Sequence, residues 1–355
     1  MKFIIGASLL ASLASAASVD LAKRETPLDL TLELVGNTAV RASVTNSGSE
    51  PLRVLKTGSI LDNLEVEKSE VFSGSEKVDF DGVRVWLDID SLTEENFQTI
   101  AAGETVVVEF DIALDHDLSS GGEFDISSAG ALSYAEADSL TLAGSAGFRS
   151  NVVHATVDGE AAAKVRRDYH EALARRAVVQ SDCTGTRRTQ TINGLSNCAA
   201  MARAAATAAS SGPAARMTEF FKSSTAATRS TVSGVFNRIA SECGSSTSGV
   251  SRQFCTDVYP GGACSGGTVA YTVPAQSYMV NCPTWFNNYA ATSSACRGNS
   301  QASITLHEAT HLSQIRGTSD YSCYGYTCVR SLSAAQNINH ADTYHYFAQA
   351  VRANC

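Results

Sequence analysis

The sequence predicts an α+β protein made of two unlike parts, a β-rich first part and a helix-dominated second part with one small sheet. Short apolar runs alternate with polar residues in the first part, and apolar residues recur at helical spacing in the second. All ten cysteines lie in the second part. With 355 residues, of which 44% are hydrophobic and 18% charged, the chain is long enough for two domains, and its composition excludes disordered and collagen-like classes.

Charge and cysteine content divide the chain at the same place. Residues 1–176, here the acidic half, contain 15 Lys and Arg against 29 Asp and Glu, a net charge of −14, and no cysteine. Residues 177–355, here the cysteine-rich half, contain 12 against 7, a net charge of +5. An even number of cysteines in one half predicts a disulfide framework there.

The N-terminus has the organisation of a secretion signal. A positive start at Lys2 is followed by the apolar run 3–13 and by the small residues 14–16, which are typical of a cleavage site. We therefore predict a signal peptide at 1–19 and a secreted, extracellular protein, in which disulfides are stable. No later run reaches the 18 or so apolar residues that a membrane helix needs, so no membrane association is expected.

Residues 20–176 are predicted to form an acidic, β-sandwich-like propeptide. Leucines at 28, 30, 32 and 34 alternate with polar residues, as in a half-buried strand, and similar short runs follow between turn-rich gaps. The dibasic pair Arg175-Arg176 ends a polar, charged run just before the first cysteine, and we predict that processing there leaves a mature domain at 177–355. The opposite charges of the two halves suit a propeptide that acts as chaperone and inhibitor.

The cysteine-rich half is predicted to be mostly helical. Helices are expected at about 191–210, 302–315 and 333–351, and one or two helices at 218–243, where apolar residues follow a helical period. A β-hairpin is expected from Val269–Val273 and Tyr278–Val280, which flank a turn containing proline. One small sheet among several helices is an α+β arrangement.

The strongest chemical signal is the H-E-x-x-H sequence at 307–311, inside the predicted helix. His307 and His311 are four residues apart and share one helix face, so both imidazoles can bind one Zn²⁺. Glu308 stands beside them and is predicted to be the general base that takes a proton from a metal-activated water.

Catalytic zinc needs a third protein ligand and an open fourth position. The metzincin pattern requires Gly and His where this chain has Gln314 and Gly317, and a thermolysin-like site requires a downstream Glu, although none follows Glu308. The Gly317-Thr318 turn can fold the chain back towards the helix end, which favours Asp320. The downstream candidates are Asp320, His340, Asp342 and His345.

These residues resemble the aspzincin signature: H-E-x-x-H, then Gly317-Thr318-x-Asp320, then Tyr324-Gly325. The chain as a whole resembles the deuterolysin family of fungal zinc metalloendopeptidases. The resemblance implies a zincin-like metalloprotease domain and zinc held by His307, His311 and Asp320. It also implies that the Tyr324 hydroxyl stabilises the oxyanion of the reaction.

Asp342 lies in a second motif of the family, and three roles are open to it. It can line a substrate-binding pocket that favours Lys or Arg, orient a zinc ligand, or replace Asp320 as the ligand. Of these roles, we predict substrate binding for Asp342. In the first case basic proteins such as histones and protamines would be good substrates.

The resemblance also implies a disulfide framework. The implied pairs are Cys183–Cys255, Cys264–Cys282 and Cys296–Cys355, with Cys198–Cys243 and Cys323–Cys328 as the remainder.

We therefore expect a secreted zinc endopeptidase that is made as a zymogen and has one Zn²⁺ per mature chain. Its expected partners are protein or peptide substrates and its own propeptide, without nucleic acid or membrane, and the mature chain is expected to be a monomer. The alternative is a non-catalytic secreted zinc-binding protein. A zinc hydrolase acting on a non-peptide bond has no feature of the sequence in its favour.

Overall fold

The computed structural model describes residues 27–171, 179–247 and 249–355, with the backbone alone for 168–171. The predicted signal peptide at 1–19 and the predicted processing site at Arg175-Arg176 lie outside these residues. The α+β class is confirmed for the part of the chain that the structure describes.

The acidic half contains most of the strands. In its described residues the elements are β1 Leu28–Leu34, β2 Ala39–Asn46, β3 Leu52–Leu55, β4 Glu70–Ser73, β5 Glu76–Lys77, β6 Arg84–Leu87, a 3₁₀ turn Glu94–Asn96, β7 Phe97–Ile100, β8 Thr105–Asp111, β9 Gly122–Ser127, β10 Ala129–Ala135, β11 Leu142–Arg149, β12 Val153–Val157 and α1 Gly159–Glu171. All but β6 belong to three antiparallel sheets with the orders β1-β2-β8, β11-β10-β3-β7 and β12-β9-β4-β5.

The period-two pattern of the first strands decides which face they bury. Leu28, Leu30 and Leu32 point into the core while the residues between them are exposed. In the register of β1 with β2, Leu30 lies opposite Val44. Apolar side chains from all three sheets share this core, which confirms a β-rich acidic half. The sandwich arrangement of the sheets stays a prediction.

The cysteine-rich half is helix-dominated, as expected. Its described elements are α2 Gly185–Ser211, α3 Ala214–Phe221, α4 Ala226–Glu242, β13 Arg252–Phe254, β14 Thr268–Val273, β15 Tyr278–Asn281, α5 Pro283–Asn288, α6 Gln301–His311, α7 Gly325–Ser331, α8 Ala334–Asn337 and α9 Ala341–Ala353.

The core of this half lies between α2, α4, α6 and α9. Small residues on α2, such as Ala202 and Ala205, are fully buried and let the neighbouring helices approach closely. Phe220, Phe236 and Phe347 fill the remaining space through ring contacts with centroids 5.6–5.7 Å apart. Burial of these apolar side chains is the main source of stability for this half.

Two predicted helices are shorter than the sequence pattern indicates. The helix predicted to reach residue 315 ends at His311, because Leu312 takes a non-helical conformation and the chain turns back so that the Thr318 N–H donates to the Thr310 carbonyl. The helix predicted over 333–351 is broken into α8 and α9. The chain at 339–340 instead pairs with Ser319, whose N–H donates to the Asn339 carbonyl.

The sheet of the cysteine-rich half contains a strand from the other half. The predicted hairpin forms as β14 and β15, and the sheet order is β13-β15-β14-β6. Its edge strand, β6, comes from the acidic half. The sequence patterns assign this strand to the acidic half alone, since period-two alternation does not say which sheet a strand joins.

Five disulfides link the ten cysteines in the pairing that the resemblance implied. They are Cys183–Cys255, Cys198–Cys243, Cys264–Cys282, Cys296–Cys355 and Cys323–Cys328. Among the described residues, the helices are too short or too polar to cross a bilayer.

Candidate metal centre

Helix α6 carries the H-E-x-x-H residues through the interior of the cysteine-rich half. It begins with a capping box, in which Ser300 and Ser303 exchange side-chain and backbone hydrogen bonds, and each of its eleven residues is buried. Ala302, Leu306 and Ala309 face the main core. Packing on that face fixes the rotation of the helix and so directs His307 and His311 to one point.

Both histidines are held by hydrogen bonds at Nδ1. The His307 Nδ1 atom lies 2.9 Å from Oδ1 of Asp342, and His311 Nδ1 lies 2.9 Å from the Thr318 carbonyl oxygen. When Nδ1 carries the proton and donates it to an oxygen, Nε2 is left with a lone pair. An imidazole with a free lone pair on Nε2 is the form that binds a metal. The two Nε2 atoms face each other at 3.0 Å.

Asp320 reaches the same point through the turn after the helix. Gly317 has a φ of +61°, a left-handed conformation that favours glycine, and it lets the chain reverse direction. The Asp320 Oδ1 atom then lies 3.3 Å from Nε2 of His307 and 3.4 Å from Nε2 of His311. Of the candidate third ligands, Asp320 is therefore the one that meets both histidines.

The three ligand atoms fit a zinc ion. Tetrahedral zinc with bonds of about 2.0–2.1 Å keeps neighbouring ligand atoms roughly 3.3 Å apart, close to the 3.0–3.4 Å seen here. Asp320 Oδ1 is buried and makes no hydrogen bond of good geometry. A cation at the centre of the triangle would satisfy this oxygen and both nitrogen lone pairs.

Electrostatics favour positive charge at this point. Burial opposes the charged form of His307, but the neighbouring carboxylates of Asp320 and Asp342 outweigh burial and raise the pKa of His307 to about 10. Burial alone would raise the pKa of Asp320, yet the two histidines hold it well below its usual range. A divalent cation supplies the positive charge that these carboxylates stabilise.

Glu308 follows His307 on α6, and its two carboxylate oxygens have different surroundings. Its Oε2 accepts a hydrogen bond of 2.6 Å from the Thr272 hydroxyl, while Oε1 is buried without a hydrogen-bond partner. Among the described residues, the side chain that shares a cluster of possible metal ligands with both histidines is Asp320. Glu308 is not part of this cluster. Burial raises the pKa of Glu308 to about 8, so the carboxylate readily accepts a proton near neutral pH.

Asp342 lies behind His307, at the start of α9. Its second oxygen, Oδ2, accepts the Gly325 N–H at 2.7 Å, and the side chain is buried. A second group of metal-ligating atoms consists of His307, Asp342 and His345. We favour the group of His307, His311 and Asp320. In the second group, Nδ1 of His307 is already engaged by Asp342, and Nδ1 of His345 lies 4.0 Å from Oδ1 of Asp342.

Tyr324 is buried next to this centre. Its hydroxyl donates to the Gly58 carbonyl of the acidic half at 3.3 Å, and the Cys323–Cys328 disulfide holds the chain on either side of it. Burial raises the pKa of Tyr324 well above its usual value, so the hydroxyl stays protonated and able to donate.

Three functional candidates escaped the sequence patterns. Thr272 contacts the carboxylate of Glu308, Trp86 stacks on His345, and Arg84 lies 3.4 Å from Ser319, the residue before Asp320. Each of the three residues lies on a strand, and the residue that it contacts is distant in sequence. The spacing of the motifs carries no information on such pairs.

Two histidine nitrogens facing one carboxylate, with a raised-pKa glutamate alongside, form the donor set of a candidate metallohydrolase centre. The model of the Deuterolysin metalloprotease (M35) family matches residues 1–355. The chain belongs to this family and is a zinc metalloendopeptidase.

Curated relatives match along the whole chain. A "Neutral protease 2 homolog" of Colletotrichum graminicola is 60% identical over 356 residues, and one of Pyricularia oryzae is 53% identical over 356 residues, each with 100% of both chains covered. Among solved structures, a zinc peptidase from Grifola frondosa matches with a TM-score of 0.39 and 22% identity, covering 47% of this chain and 96% of that chain.

Proposed function

We propose that the chain is a secreted zymogen whose cysteine-rich half hydrolyses internal peptide bonds with one zinc ion per mature chain. The observation that carries the proposal is the triangle formed by Nε2 of His307, Nε2 of His311 and Oδ1 of Asp320, with sides of 3.0, 3.3 and 3.4 Å. The size of this triangle suits tetrahedral zinc. Three protein ligands would leave the fourth coordination position for water or substrate.

When bound, zinc supplies Lewis acidity, which lowers the pKa of water and polarises the peptide carbonyl. Glu308 accepts a proton from the attacking water and delivers it to the nitrogen of the departing amine. The Thr272 hydroxyl holds Oε2 of Glu308, so Oε1 is the oxygen available for this exchange.

Tyr324 is proposed to act on the carbonyl oxygen. Its hydroxyl stays protonated, and its pKa responds to the charge of Asp320, as expected of close neighbours. A hydrogen bond from this hydroxyl stabilises the oxygen as it gains negative charge. In the zymogen the same hydroxyl donates to Gly58 of the acidic half.

Asp342 is proposed to position His307 and not to bind substrate. Both of its oxygens accept hydrogen bonds inside the protein, one from His307 and one from Gly325, and only 2% of the residue is exposed. A carboxylate engaged in this way is not free to bind Lys or Arg of a substrate. Of the three roles open to Asp342, we therefore propose the orienting role.

Secretion and latency are part of the same proposal. Five disulfides in one half suit an oxidising compartment, and the apolar leader and the dibasic pair Arg175-Arg176 suit export followed by removal of residues 20–176. The acidic half contacts the loop that carries Asp320 and Tyr324, which suits an inhibitory propeptide.

The test is Glu308→Gln in the processed chain, assayed for bound zinc by elemental analysis and for cleavage of an internally quenched peptide. We expect one zinc per chain and at least about a hundredfold loss of activity, as for removal of a general base. Glu219→Gln is the matched control, because Glu219 pairs with Arg297 outside the site. Full activity of Glu308→Gln would overturn the assignment.

A further inference from the structure

Strand β6 of the acidic half lies along the edge of the sheet in the cysteine-rich half. It runs antiparallel to β14, and the register places Arg84 opposite Thr272, Val85 opposite Tyr271 and Trp86 opposite Ala270. Thr272 is the residue that hydrogen-bonds Glu308. The backbone of the acidic half therefore covers the sheet edge beside the proposed general base.

Trp86 anchors this strand in the other half. Its ring stacks on His345 with centroids 6.2 Å apart and planes 10° apart, and it meets Tyr289 edge-on at 5.6 Å. The His345 ring in turn contacts His307 at 6.2 Å. Only 3% of Trp86 is exposed, and the apolar residues that it clusters with, including Val269 and Ile304, belong to the cysteine-rich half.

Polar contacts hold the strand on the side of Asp320. Arg84 is buried and pairs with Glu67 at 2.6 Å, and Glu67 also accepts a hydrogen bond of 2.7 Å from Ser319. Burial alone would lower the pKa of Arg84, but Glu67 raises it above its usual value. An ion pair from the acidic half thus closes over the residue next to the proposed zinc ligand.

The backbone at Gly58 contacts the third part of the site. Its φ of +72° favours glycine, and a Cβ at this position would clash with the Tyr324 hydroxyl. The Gly58 carbonyl accepts the hydrogen bond of that hydroxyl. Contacts of the acidic half therefore surround Glu308, Asp320 and Tyr324 together.

We infer that β6, anchored by Trp86, is the element that blocks the site, and that it does so without covalent help from the chain connection at 172–178. The inference rests on the proposed zymogen function. Sheet pairing, ring stacking and a buried ion pair persist when a chain is cut elsewhere. Cleavage at Arg175-Arg176 therefore leaves an inhibited complex of two fragments, and activity requires a second step in which β6 dissociates or is cut.

The experiment starts from the full-length chain, in which the recognition sequence of a site-specific protease replaces Arg175-Arg176, so that other dibasic pairs such as Arg187-Arg188 are not cut. Cleavage is followed on denaturing gels, association of the fragments by gel filtration, and activity with an internally quenched peptide. We expect the wild-type fragments to co-elute after complete cleavage, with activity rising only when they separate.

Trp86→Ala tests the anchor. Loss of a central aromatic anchor weakens an interface by about 30-fold or more, so the fragments of this variant should separate on dilution and activity should follow cleavage without a lag. Val107→Ala, on β8 of the same half with 53% exposure, is the control and should behave as wild type. Trp86→Phe keeps an apolar ring and should give an intermediate lag, which keeps the test valid if Trp86→Ala does not fold.

Two outcomes overturn the inference: wild-type activity that rises in step with cleavage while the fragments remain together, or a folded Trp86→Ala chain with the wild-type lag and co-elution. The same gel-filtration comparison in a Glu308→Gln background needs no activity. If no variant cleaves peptide but the Trp86→Ala fragments alone separate, the proposed function fails while the assignment of β6 stands.

Discussion

The Nδ1 atom of His307 lies 2.9 Å from Oδ1 of Asp342, and both residues are fully or almost fully buried. This contact selects the tautomer of His307 that leaves Nε2 free, and it links α6 to the start of α9. The Gly325 N–H binds the other oxygen of Asp342, so the same carboxylate also fixes the residue after Tyr324.

Asp342→Asn should weaken zinc binding without abolishing it. The amide keeps the size of the side chain but loses the charge that orients and polarises His307, and changes of this kind cost about 10–100-fold in metal affinity. Competition with a chromogenic chelator measures the affinity of the processed chain. Unchanged affinity would remove Asp342 from the positioning role.

Thr272→Val should move the acid limb of the pH–rate profile upwards. The hydroxyl stabilises the charged form of Glu308, whose pKa burial raises to about 8, so removing it raises this pKa further. A base works only when deprotonated; activity should therefore fall at a higher pH in the variant, with the alkaline plateau nearly kept. A profile of kcat/KM against pH that matches wild type would contradict this account of Thr272.

Glu67→Gln should destabilise the zymogen in a pH-dependent way. Burial opposes the charge of Glu67, but Arg84 and Lys77 hold its pKa far below the usual 4.5. A depressed pKa stabilises the folded chain at pH values above the pKa of the unfolded chain, and this stabilisation is lost as the pH falls. At neutral pH the free energy of unfolding of the variant should therefore be lower than that of wild type by about 3 kcal/mol. The difference should shrink below pH 4.5. Thermal unfolding of both zymogens across pH measures it, and a constant difference would be the contrary result.

The long and the short disulfide should have different consequences. Cys296–Cys355 joins residues 59 apart, and its replacement by serines should lower the free energy of unfolding by about 4 kcal/mol and lower the activity that remains after a heat pulse. Cys323–Cys328 joins residues only 5 apart, so its replacement should cost about half as much. It should instead lower activity, because it supports Tyr324. Calorimetry and activity after a heat pulse compare the two, and equal effects on both would refute the distinction.

Local patterns predicted much of the cysteine-rich half. The i, i+4 spacing of His307 and His311 is a property of the helix itself, and Gly317 marks the turn that returns Asp320 to it. The strand alternation of β1 and β2 likewise follows from side chains that point to opposite faces.

Long-range partners were beyond these patterns. Whether Asp342 lines a pocket or orients a zinc ligand depends on which part of the protein α9 faces. That in turn depends on the interruption of the helix at 338–340, where the backbone pairs with Ser319. The transfer of β6 to the other sheet depends on Trp86 finding His345, 259 positions away in the sequence. Neither relationship has a local signal.

Zinc content of the processed Asp320→Asn chain, measured beside that of Asp342→Asn, tests the central claim most directly. Elemental analysis after dialysis against a weak chelator should find about one zinc ion per chain in wild type and nearly as much in Asp342→Asn. Asp320→Asn should hold almost none, because two histidines alone do not make a closed site. Full zinc in Asp320→Asn, with loss in Asp342→Asn, would contradict the assignment of Asp320 as the third ligand.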